Sequence, residues 1–110
     1  MVIIEMVLDK DGIIKSCNVQ GHAQAGKTGS DIVCAAVSVL VRTAAAVLAN
    51  REGIIIRWEA PEPGFFFLEA DYTAAGKDFL FSAGEFFRIG LASIAEEYPK
   101  HCKLIQTRRT

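Results

Sequence analysis

Cysteine is scarce in this 110-residue chain, and the three present, Cys17, Cys34 and Cys102, are an odd number without a framework spacing. That excludes a disulfide-stapled scaffold and fits reduced thiols in the cytoplasm. An excess of charge of one sign is lacking too: the formal net charge is -1, and the only local basic run is Arg108-Arg109 at the tail. No polyanion footprint exists, so direct nucleic-acid binding is not expected. The longest apolar run without a charge, residues 32 to 41, is too short to cross a bilayer. The N-terminus MVIIEMVLDK carries Glu5 and lacks both a basic leader and a small-residue cleavage site, so it does not read as a signal peptide. These absences predict a cytoplasmic protein with no membrane partner and no cofactor.

What the chain does have is apolar mass. Hydrophobic residues make up 51% and aromatics 9%, enough for one core, so residues 1 to 110 are expected to form a single domain. Residues 2 to 8 and 13 to 20 are β-rich and flank Asp9-Lys10-Asp11-Gly12, whose Asp-Gly step supplies the positive φ of a tight hairpin. Residues 31 to 49 are too alanine-rich for a strand and are followed by Asn50 and Gly53; they predict a helix that buries Ile32, Val33, Val37, Leu40, Val41 and Val47. GIIIRWEA (53 to 60) and GFFFLEADY (64 to 72) predict a second hairpin around Pro61-Glu62-Pro63-Gly64. A second helix is expected from about Ala75 to Tyr98, stopped by Pro99, and a last short strand from Cys102 to Thr107. The result is a two-layer α+β domain of order ββαββαβ, with two helices on one face of a mostly antiparallel sheet. Both helices are apolar over more than one stripe, and that excess predicts a homodimer.

The first helix carries Asp31, Cys34, Ser38 and Arg42 at spacings of three, four and four, which places them on one face. One reading is a wet helix edge with Cys34 as core filling. The other is a reactive thiol, since a helix starting at Ser30 or Asp31 puts partial positive charge beside Cys34, worth about 0.3 to 1 kcal/mol to an anion there. A nearby imidazolium adds to that, and His22, followed by a loop containing Gly26, Lys27 and Gly29, is the upstream candidate. A metal site from His22, Cys34, His101, Cys102 and Cys17 lacks any CxxC or HxxxH spacing. GHAQAGKT matches the phosphate-loop pattern formally, but it follows a hairpin instead of leading a parallel crossover unit. The Phe65-Phe66-Phe67 run reads as sheet core at period two, with a substrate groove as the alternative.

The stretch Gly21-His22-Ala23, then Gly29-Ser30-Asp31-Ile32-Val33-Cys34-Ala35 and Ser38, resembles the signature of the bacterial ribosomal-processing cysteine protease family, Prp. The resemblance extends over the whole length and the ββαββαβ order. It implies a homodimeric endopeptidase that trims an N-terminal extension from large-subunit ribosomal protein number twenty-seven, cutting after an aromatic residue. Carried over, Cys34 is the nucleophile and His22 the general base and then acid; Asp31 and Ser38 stand near the dyad without an assigned step. Gly21 gives the close turn beside His22, and Gly26 and Gly29 lie in a mobile loop that closes over substrate. The alternative is a non-catalytic ribosome-associated binding or regulatory module in which Cys34 is structural.

Overall fold

The first two strands, β1 (Val2–Leu8) and β2 (Ile14–Gln20), pair antiparallel as a hairpin. Gly12 adopts φ 79° in the turn, and its N–H donates to the Asp9 carbonyl at 3.0 Å. The Asp9 carboxylate accepts the N–H groups of Asp11 and Ile13 at 2.8 and 3.0 Å, so one side chain organises the whole turn. This computed structural model describes residues 1–21, 28–62 and 64–109, with the backbone alone at 28–31. The first helix, α1 (Thr28–Leu48), ends where Asn50 takes a left-handed φ of 59°. Strands β3 (Ile54–Glu59) and β4 (Phe65–Tyr72) form the second hairpin. A short 3-10 turn (Ala74–Gly76) leads into α2 (Lys77–Glu97), and β5 (Cys102–Arg108) closes the chain after Pro99.

The five strands make one mixed sheet in the order β3-β4-β2-β1-β5. Only β1 and β5 run parallel; the other three pairs are antiparallel. Val2, Ile4, Met6, Cys17, Val19, Phe66 and Leu68 alternate onto one sheet face and are buried there. That face receives both helices. Helix α1 sets down Val33, Val37, Val41, Ala45 and Leu48, at spacings of four, four, four and three. Helix α2 sets down Leu80, Gly84, Phe87 and Leu91. Burying each of the larger aliphatic side chains is worth roughly 1.5 to 3 kcal/mol.

The expected α+β fold and its element order therefore hold, with two departures. Ile32 and Val47, expected inside, are 45% and 43% exposed, because the sheet takes only the stripe through Val33. The first helix also begins three residues earlier than Asp31. Among the described residues, no helix is long and apolar enough to cross a membrane.

Candidate active site

A cleft of about 540 Å³ opens between the first half of α1 and the sheet end where β2 stops and β3 turns into β4. One wall is the polar stripe of α1: Cys34, Ser38 and Arg42 all line it, as the three- and four-residue spacing predicts. Val2, Val19 and Phe66 form an apolar floor, and Ala60, Pro61, Glu62 and Gly64 form the opposite wall. Arg42 and Glu62 are the only charged side chains among the described residues of the lining.

Gly21 lies at the rim with φ 121°, a conformation that side-chain-bearing residues rarely adopt. A Cβ there would stand 2.2 Å from the Met1 carbonyl oxygen. The end of β2 is thus pressed against the start of β1, and only glycine fits. Of the three consecutive phenylalanines, Phe66 is both core and cleft floor, stacked 6.1 Å from Trp58. Phe65 also lines the cleft, at the sheet end, and Phe67 lies on the sheet face opposite to that of Phe66, beneath the Arg57 guanidinium at 5.4 Å. Phe66 thus bears out the core reading of this run, and Phe65 and Phe66 both line the cleft.

The three cysteines differ sharply. Cys17 is fully buried under the helices, and burial pushes its thiol up to about 12. Cys102 is buried at the start of β5, and its thiol is pushed up by that burial and by the neighbouring Cys34. Cys34 alone is half-buried and faces the cleft.

Because α1 starts at Thr28, Cys34 is its seventh residue and not a first-turn residue. Its N–H is committed to the preceding helical turn, and the helix-start charge acts mainly on the turn before it. Gly29, expected in the loop, falls in the first turn of α1. His22 and Gly26 lie outside the described residues, as does the side chain of Asp31. Among the described residues no three His, Cys, Asp or Glu side chains gather as a metal site. Sequence reasoning missed Val2 and Val19 of the floor and the far wall, for which the Pro61-Gly64 turn was the only local signal.

The family described as cysteine protease Prp matches residues 1–103. None of the curated proteins compared with the chain matches it. Among solved structures, a Streptococcus mutans protein is 27% identical with a TM-score of 0.79, over 99% of this chain and 96% of that one. The essential ribosomal processing protease Prp from S. aureus, in complex with a substrate peptide, is 19% identical with a TM-score of 0.81, over 97% and 100%. The same protease with a covalently linked product peptide is 23% identical with a TM-score of 0.74, over 97% and 100%.

Proposed function

The chain belongs to the cysteine protease Prp family, and from that premise we propose that it cuts a peptide held in the α1 cleft, with Cys34 as nucleophile and His22 as its base. The observation that carries the reading is that Cys34 is the one half-buried cysteine and faces a cleft, while Cys17 and Cys102 are buried. Gly21 lines that cleft, and His22 is the next residue in the chain.

The Cys34 thiolate attacks the scissile carbonyl carbon, forming the S–C bond and an oxyanion. His22 holds the thiol proton and passes it to the leaving amine as the C–N bond breaks; it then takes a proton from water, which hydrolyses the thioester. The Cys34 N–H is spent inside α1, so the oxyanion takes its donors from other groups along the cleft. Ser38 lies one turn further on, about 6 Å along the helix, where its hydroxyl can hold the peptide backbone. Asp31 shares the helical spacing of Cys34 and Ser38 in the sequence. The substrate is the N-terminal extension of large-subunit ribosomal protein number twenty-seven, cut after an aromatic residue, in the cytoplasm; the S. aureus relative is itself a ribosomal processing protease seen with a substrate peptide.

The assembly is a homodimer. Ile32, Val39 and Val47 on α1 and Phe86 and Ile89 on α2 are exposed apolar side chains, Phe86 at 77%. Val47 and Phe86 line one groove between the helices, and large contiguous apolar patches are uncommon on a monomer.

Mass spectrometry of a peptide spanning that extension, incubated with wild type and with Cys34→Ala, tests the assignment. A single cut after an aromatic residue, made by wild type alone, is expected. Undiminished cutting by Cys34→Ala would overturn the nucleophile. No cut by wild type would remove this substrate.

A further inference from the structure

The cleft extends beyond the thiol. Arg42 stands on the same wall as Cys34, eight residues on, which at about 1.5 Å per residue is about 12 Å along α1. Other arginines have partners: Arg57 pairs with Glu69, Arg88 with Glu85 at 2.7 Å, and Arg51 lies 3.5 Å over the Phe79 ring. Arg42 has none among the described residues, although Glu62 lines the opposite wall of the same cleft. The floor between those walls, Val2, Val19 and Phe66, is apolar and offers the guanidinium no acceptor side chain.

A planar guanidinium beside an apolar floor is suited to a carboxylate, which it can hold through two parallel N–H···O bonds. An extended peptide advances about 3.3 Å per residue, so 12 Å corresponds to roughly three to four residues. We propose that Arg42 is a specificity-determining residue, reading an acidic side chain of the bound peptide three to four residues from the scissile bond. The inference rests on the cleft being the peptide site of the protease. Arg42 takes no part in bond breaking; it selects the sequence presented to Cys34. Glu62 on the facing wall repels the same carboxylate if it is misplaced across the cleft, which sharpens the choice of side.

The experiment takes the extension peptide that wild type cuts and places Glu, Gln or Lys singly at the third and fourth residues on each side of the cut. At the responsive position, kcat/KM for Glu over Lys is expected to be about tenfold in wild type, the effect of one charge-assisted hydrogen bond. The difference should lie mainly in KM. Arg42→Gln is expected to bring the ratio close to one and Arg42→Glu to invert it. A Glu-to-Lys ratio unchanged in Arg42→Gln, or the same loss for all three peptides, overturns the inference while leaving the protease intact. Failure of wild type to cut even the parent peptide is a different result: it removes the protease reading and this inference with it.

Discussion

At the scale of the residue, three thiols in one small fold test what decides reactivity. Thiolate availability and access both matter, and burial lowers both at Cys17 and Cys102. With its thiol near 12, Cys17 is thiolate to only about one part in ten thousand at pH 8. Cys102 is buried and raised in the same sense. Iodoacetamide should therefore modify Cys34 first in the native protein, with Cys17 last, and the three rates should converge in denaturant. A mass-spectrometric time course reads this directly, and equal native rates for Cys34 and Cys102 would remove the basis for calling Cys34 the nucleophile. The stripe through Cys34, Ser38 and Arg42 was legible in the sequence because helical spacing is local. The register of α1 on the sheet was not: valine, isoleucine and alanine occur all around it, and only contact with the sheet separates buried Val33 from exposed Ile32.

At the scale of the element, the first hairpin is fastened from outside itself. The Tyr72 hydroxyl at the end of β4 donates to Asp9 at 2.7 Å, clasping the β1–β2 turn. Burial alone would raise the Asp9 carboxyl, but the bonds from Tyr72, Ile13 and Asp11, with Lys15 nearby, outweigh it and hold it below its ordinary value. The Tyr72 phenol is pushed up to about 12, chiefly by its bond to Asp9. A depressed carboxyl contributes stability above its unfolded value of about 3.9 and loses it as pH falls through the folded one. A raised phenol contributes stability below about 10 and loses it as pH climbs toward its folded value. Tyr72→Phe should thus lower the urea midpoint at neutral pH and flatten its decline between pH 10 and 12; a midpoint falling as steeply as in wild type would refute the clasp. The turn itself was legible from Asp9 to Gly12, since its chemistry is contained in five residues. Its anchor was not, because Tyr72 is 63 residues away in sequence. The same limit hid the far wall of the cleft and the parallel pairing of β5 with β1, both set by long-range contacts.

At the scale of the whole molecule, the apolar residues that the sheet leaves uncovered require a use. Two helices on one sheet face bury one stripe each, and a groove of about 190 Å³ remains between them, lined by Leu40, Val47, Ala83, Phe86 and Phe87 among others. A second copy can cover Val39, Val47, Phe86 and Ile89 together, and a stable interface needs about 1,000 Å² or more. Phe86 is the informative position, since at 77% exposure its removal costs the monomer little packing. Sedimentation should find wild type at twice the mass of the chain at about 10 μM, an ordinary affinity for such an interface, and Phe86→Glu should shift it to the mass of one chain. The variant should retain the wild-type circular dichroism, because its charge replaces a surface ring and not a core one. Wild type sedimenting at the mass of a single chain would refute the dimer. A dimer unmoved by Phe86→Glu would instead place the interface on the uncovered sheet face, where Ile55 and Ile105 are exposed. The cleft lies along the face of α1 that carries Cys34 and Arg42, whereas Val39 and Val47 do not line it. On the proposed reading, one helix serves the substrate on one side and the partner copy on another, and a dimer contact would account for the apolar side chains that the sheet leaves uncovered.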